Sequence, residues 1–220
     1  MKIILQIVLW VAIIFLGWKL YGSITGPIEF NSIKEARYKK VISNLQDIQA
    51  AQLAHQEITG DFTGSFDSLV RFIDTAQFAI TQRRDTSFAD VAKNKAFGID
   101  EGYYLSEIIT DTLRFASVKD SLFNGGDRYK RMMNIPVEGI DDKIEMKAGT
   151  YVKNEIKYSV FEAKVSKKTL LADLDKDLLV QELQVVSVDG VNGEYIKVGA
   201  LDEINTSGNW PKNLETAKKQ

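Results

Sequence analysis

Few residues in this chain have side chains suited to chemistry. His55 is the single imidazole and there is no cysteine. One His cannot build a multi-His metal centre, and without thiols there is no disulfide, thiolate metal site or cysteine nucleophile. Acid–base chemistry would have to rest on His55 and carboxylates, yet no motif places a Ser or Asp beside it. His55 falls on the apolar stripe of a helix, where a half-buried packing role is the expectation. Asp173-Leu174-Asp175-Lys176-Asp177 sets carboxylates at alternate positions, as the opening of a calcium loop does. Leu178 stands where such a loop needs Gly, and Gln184 where it needs the bidentate Glu. A solvated helix end is the better reading. Asp141-Asp142 reads as a turn, and Gly125-Gly126-Asp127-Arg128 lacks the Lys-Ser/Thr that would hold phosphate. Phosphate-binding, dinucleotide-binding, zinc-hydrolase and nucleophile-elbow motifs are missing. No catalytic residue, cofactor or metal is assigned, although carboxylate-only chemistry with His55 stays open as an alternative.

The elements around these residues point to a membrane. Ile3 to Tyr21 is 19 residues with Gln6 as the one polar group before Lys19. At about 1.5 Å per residue this spans roughly 28 Å, close to the hydrocarbon thickness of a bilayer. Trp10 lies within the run, Trp18 and Tyr21 suit an interfacial belt, and Lys19 can snorkel to the headgroups. Gln6 needs a polar partner on another helix or a backbone. The residues after the run read GWKLYGSIT, without a small-x-small cleavage pattern, so an uncleaved anchor is expected over residues 1–21. Lys2 favours an inside N-terminus, which puts the rest of the chain in a periplasm. Lys34, Arg37, Lys39 and Lys40 argue the other way by the positive-inside rule and also suit contact with anionic lipid.

Residues 22–31, with Gly22, Gly26 and Pro27, read as a linker that breaks the helix. Ser32-Ile33-Lys34-Glu35 has the form of a capping box opening a long helix over residues 32–60, with Gly60 as its stop. Tyr38, Val41, Leu45, Ile48, Ala51, His55 and Ile58 recur at intervals of three and four. That stripe packs either on the chain's own domain or, over Tyr38, Val41, Leu45 and Ile48, against a partner helix.

Ser65 caps a short helix from Phe66 to about Thr75. Alternating patterns predict strands at Phe78–Gln82, Leu113–Val118, Lys143–Ala148, Lys157–Val165, Val185–Val188 and Tyr195–Val198. Residues 83–98 read as a surface helix or a loop, and a short helix is expected over Lys167–Leu174. The fold class is α+β: an N-terminal transmembrane helix, a long amphipathic helix, then an antiparallel β-rich domain with short helices over residues 61–204. Residues 205–220 form a polar tail in which Trp210 could dock.

Leu45-Gln46-Asp47-Ile48-Gln49-Ala50-Ala51, then Gly60-Asp61-Phe62 and Ser65-Phe66-Asp67-Ser68-Leu69, following an apolar N-terminal helix, resemble type IV pilins and type II secretion pseudopilins over about residues 1–75. In that family a basic leader ending in Gly precedes the apolar run and a Glu follows at the fifth mature position; here the run begins at Ile3 and no such Glu follows. The resemblance implies a long helix packed on an antiparallel sheet, in a structural subunit of a secretion or pilus-like machine. With 28 basic and 30 acidic residues there is no basic excess to bind nucleic acid. The expected partners are other membrane or envelope proteins, the bilayer and, as one candidate, further copies of the chain. A cytoplasm-facing interaction module is the alternative if the positive-inside argument prevails.

Overall fold

The computed structural model describes residues 2–100 and 102–215. Two compact units are present. The first comprises residues up to Val70 and from Asp127 onward; the second is Arg71–Gly126. Both contain helix and antiparallel sheet, as the α+β reading expects.

The first unit is organised by α1 (Lys2–Thr59), one uninterrupted helix of 58 residues. The predicted break at residues 22–31 does not occur: Gly22, Gly26 and Pro27 are all helical. Pro27 lacks the amide that would bond the carbonyl of Ser23, a penalty of about 3 kcal/mol, and each Gly costs up to about 1 kcal/mol. The turns on either side outweigh this, because both belong to helices of many bonded residues and helix propagation is cooperative. Thr25 Oγ1 also donates to the Tyr21 carbonyl at 2.9 Å. Ser32 therefore lies inside the helix and caps nothing. Gly60 does end it, at φ +91°.

The two halves of α1 differ in surroundings. From Ile3 to Tyr21 the large apolar side chains are all exposed, between 49% and 72%. This single helix is long and apolar enough to cross a membrane. From Phe30 onward one face is covered: Tyr38, Val41, Ile42, Leu45, Ile48 and Ala51 are buried. They lie against a three-stranded antiparallel sheet in the order β3-β4-β5, built from β3 (Glu145–Lys153), β4 (Ile156–Ser166) and β5 (Tyr195–Gly199). The face predicted as a seam for a partner helix is thus filled by the chain's own β4 and β5. Phe161, Ala163, Val165, Ile196 and Val198 supply the sheet's side of this core.

Local chemistry explains the connections. β3 and β4 are joined at Asn154 and Glu155, both at positive φ (51° and 67°), as a two-residue type I′ hairpin requires. Gly199 has φ +74°, and a Cβ there would meet the Phe161 carbonyl oxygen at 2.2 Å, so the site demands glycine. Gln52, fully buried, clasps the turn after α1: its Nε2 donates to the Thr63 carbonyl at 2.5 Å and its Oε1 accepts from the Thr63 amide at 3.1 Å. Phe62 then packs against Phe161 as a tilted ring pair, centroids 4.7 Å apart. Two short helices cross this unit, α5 (Lys167–Leu170) and α6 (Lys176–Leu183). The first is shorter than predicted, and residues 185–188 form no strand: Val186 and Val188 are over 90% exposed because β5 pairs with β4 instead. Trp210 docks as anticipated, at 9% exposure; residues 216–220 of the tail lie outside the described residues.

The helix α2 (Phe66–Thr75) matches its predicted bounds and leads into the second unit. That unit is a long two-stranded hairpin, β1 (Gln77–Ala89) with β2 (Tyr104–Ser117), carrying α3 (Val91–Ala96) between the strands and α4 (Val118–Phe123) after them. Residues 83–89, read as helix or loop, are strand. No face of this stretch is buried, so its polar string RRDTSFA has no alternation to betray it.

Leu45 and Ile48 are fully buried, whereas Leu53 on the same helix is 40% exposed. Leu45→Ala or Ile48→Ala should cost about 2–5 kcal/mol, seen as a lowered thermal midpoint of the detergent-solubilised chain by circular dichroism. Leu53→Ala should move that midpoint far less, and equal shifts would contradict the core described.

Candidate functional site

A cluster of charges lies on the side of α1 next to its apolar stripe. Its centre is Lys167, the one lysine or arginine that is buried among the described residues. Ser166 ends β4 and α5 begins at once, which turns Lys167 inward beneath α1. Its ammonium donates to the Val191 carbonyl at 2.5 Å, the Glu182 carbonyl at 3.1 Å and Glu182 Oε1 at 3.1 Å. An ammonium has three protons, and here each has an acceptor. Glu182, on α6, also receives Lys34 Nζ on Oε2 at 2.9 Å and the Tyr38 hydroxyl on Oε1 at 3.1 Å. One carboxylate thereby joins α1, α5 and α6. A cleft of about 300 Å³ opens beside it, lined by Lys34, Tyr38, Glu182, Val191 and Leu214 among others.

One turn further along α1, Arg37 makes a bidentate pair with Asp173, Nη1 to Oδ1 at 2.5 Å and Nη2 to Oδ2 at 2.7 Å, and also donates to the Leu170 carbonyl at 2.6 Å. This pairing borders a cleft of about 600 Å³ lined by Arg37, Asp141, Asp142, Lys168 and Asp173. On the other flank of the helix, Asp47 holds Arg128 Nε at 2.9 Å.

The electrostatics follow from burial. Desolvation pushes the Lys167 ammonium below its ordinary value, against the pull of Glu182, and Lys34 adds to the push. Burial, with the Glu182 charge, pushes the Tyr38 hydroxyl well above the ordinary tyrosine range. The Arg37 guanidinium holds the Asp173 carboxyl below the usual carboxylate range by hydrogen bonding. A lysine held by three acceptors and a carboxylate held by three donors are ties between elements: all three ammonium protons are used, and both carboxylate oxygens are engaged.

The residues singled out from the sequence are scattered. Gln6, Trp10, Trp18, Lys19 and Tyr21 line the uncovered half of α1. Of the residues suited to lipid, Lys34 and Arg37 are engaged within the domain, while Lys39 and Lys40 are exposed, with Lys39 Nζ 4.0 Å from Glu35. His55 closes the end of α1: its Nδ1 lies 2.6 Å from the Asp61 carbonyl and 3.0 Å from Thr59 Oγ1. The Asp173–Asp177 string divides its labour, Asp173 pairing with Arg37 and Asp175 capping α6 through the amides of Asp177 and Leu178. Among the described residues no group of three His, Cys, Asp or Glu could hold a metal ion. Lys167 and Glu182 carry no sequence signal beyond a lysine set between the apolar strand β4 and Leu170-Leu171.

Glu182→Gln leaves Lys167 buried without its counter-charge and should cost about 3–5 kcal/mol. Asp173→Asn, at an exposed pair, should cost about 0–1 kcal/mol. Its signature lies in pH. A carboxyl held low contributes stability above its ordinary pKa and loses it as pH falls through the lowered value, so Asp173→Asn should flatten the acid limb of the stability profile. Lys167 acts in the alkaline range. Its desolvation cost is relieved as pH rises from its lowered pKa to its ordinary value, so stability climbs there. Tyr38 opposes this: its unfolded hydroxyl ionises near pH ~10 and its folded one does not, so stability falls above that point. Urea unfolding from pH 2 to 11 should show Lys167→Met losing the climb and Tyr38→Phe losing the fall.

Compared with known proteins, the chain matches no family model, no curated protein and no solved structure.

Proposed function

We propose that this chain is a single-pass, membrane-anchored envelope protein that serves as a structural, partner-binding subunit of a membrane assembly such as a secretion or pilus-like machine. One observation carries the reading. A single helix is apolar and uncovered on every side from Ile3 to Tyr21, yet covered on one face by its own sheet from Tyr38 to Ile48. An uncovered apolar helix of this length would be unstable in water and suits a bilayer or a bundle of like helices. The covered half makes the same helix the backbone of a folded domain. A long helix whose distal half packs on an antiparallel sheet is also what a pilin-like subunit needs. The charge cluster supports a scaffold over an enzyme, because its ionisable groups are spent on each other.

The domain faces the outer side, with Lys2 and the N-terminus inside. Lys34 and Arg37 pair with Glu182 and Asp173 within the domain, so in the folded chain these two cations are engaged by carboxylates rather than by anionic headgroups.

Carbonate extraction of membranes should leave the full-length chain in the pellet; release as a soluble protein beginning after residue 20 would sink the anchor. A periplasmic phosphatase fused after Gln220 should be active. A silent reporter, with a C-terminus protected from external protease, would turn the domain to the cytoplasm. Mild-detergent purification with mass spectrometry should recover other envelope proteins.

A further inference from the structure

The hairpin β1–β2 stands as a two-stranded sheet, so each strand has one edge with no partner strand among the described residues. Such a ribbon is marginally stable in water, and a free edge is a template for another strand. The two edges are not equivalent. The register shifts between Ile80, opposite Arg114, and Thr81, opposite Thr112, so Leu113 is an extra residue on β2. A bulge disrupts the ladder and blunts an edge. β1 carries no such insertion: all 13 of its residues, Gln77–Ala89, have a partner on β2.

We propose that the free edge of β1 pairs antiparallel with β1 of a second copy of this chain, about a two-fold axis at Arg84, making a four-stranded sheet β2-β1-β1-β2. The register is chosen by the charges. With Arg84 on the axis, Arg83 of each copy faces Asp85 of the other, giving two ion pairs on one face; neither residue has an ion-pair partner within its own chain among the described residues. On the opposite face Ile80 meets Phe88 twice, covering a phenyl ring that is 52% exposed in the single chain. The two Arg84 side chains at the axis are each neutralised by their own Asp111, at 2.6 Å. Moving the axis to Arg83 or Asp85 sets Arg84 against Gln82 or Thr86 and leaves no ion pair. Pairing of two β2 edges is disfavoured, since between Tyr104 and the bulge that strand carries acids alone, Glu107 and Asp111. Opposite-charge and apolar cross-strand pairs stabilise such a ladder, and like charges directly opposite destabilise it.

This names one partner for the subunit reading and depends on it only for its setting; the strand edge itself needs no membrane. The chain has no cysteine, so single-cysteine variants of the full-length protein report cleanly. Residues directly opposite have Cα atoms about 4.5–5.5 Å apart, within disulfide reach. Arg84→Cys, oxidised in native membranes or mild detergent, should give a reductant-sensitive dimer in most of the chain. Thr81→Cys should remain monomeric, because the two Thr81 positions lie about 20 Å apart along the strands. Thr81→Cys combined with Ser87→Cys should cross-link, which guards against a local effect at Arg84. Adding Asp85→Arg to Arg84→Cys should reduce the dimer at least fivefold, and adding Arg83→Asp as well should restore it. Lack of cross-linking at both Arg84→Cys and the double variant, or equal yields at Arg84→Cys and Thr81→Cys alone, would overturn the pairing. So would indifference to the charge swap. A chain that co-purifies with other envelope proteins but shows no cross-link at these positions overturns the pairing and spares the subunit reading. Cross-linking of a chain that extracts as a soluble protein does the reverse.

Discussion

Everything in the first unit depends on the burial of one helical stripe. The sheet β3-β4-β5 has three strands and needs an apolar cover, and α1 supplies it. Tyr38, Val41, Leu45 and Ile48 are spaced to present a continuous ridge, while β4 and β5 turn Phe161, Ala163, Ile196 and Val198 toward it. With the long helix as the principal cover, the short segments around it are fitted to its flanks. Gln52 fixes the turn that follows, and the tail returns to place Trp210 and Leu214 on the same core.

The charge cluster is best understood as the boundary of that packing. α1 cannot be apolar on the faces where loops and short helices approach, since those elements bring carbonyls and carboxylates that need donors. Lys34, Arg37 and Tyr38 supply them from the helix, and Lys167 supplies them from below. A buried ion pair is weak evidence of net stability, because desolvation opposes the attraction. Its effect here is positional: α6 and the loop at Val191 are held at one place along α1, since a carboxylate serving three donors at once tolerates little sliding.

Much of this was legible in the residues, and the failures have physical causes. The stripe of α1, the helix at Phe66–Thr75 and the strands near 145–165 and 195–199 were readable because each has one buried face, and burial imposes period. The ribbon over Arg83–Ala89 has no buried face, so its sequence is free of pattern. Gly22, Gly26 and Pro27 predict a break only on their local cost; the cooperativity of the long flanking helices, which is not local, carries the helix through them. Asp173–Asp177 reads as a solvated helix end, and Asp175 is one: it accepts from the amides two and three residues on and caps the start of α6. Lys167 and Glu182 are 15 residues apart and meet through the fold, so local spacing could not pair them.

The continuity of α1 through Pro27 has a further consequence. A flexible linker would let the domain forget the rotational setting of the apolar segment. A continuous helix preserves phase: each residue between the two halves advances the direction by about 100° and the height by about 1.5 Å. The span from Gly22 to Asn31 therefore acts as a gauge of angle and length. One inserted residue there would swing the sheet to a different compass bearing around the apolar segment, while four would nearly restore the bearing and lift the sheet by about 6 Å. Tolerance to insertion in this stretch would accordingly follow the helical repeat, favouring additions of three or four residues over one or two.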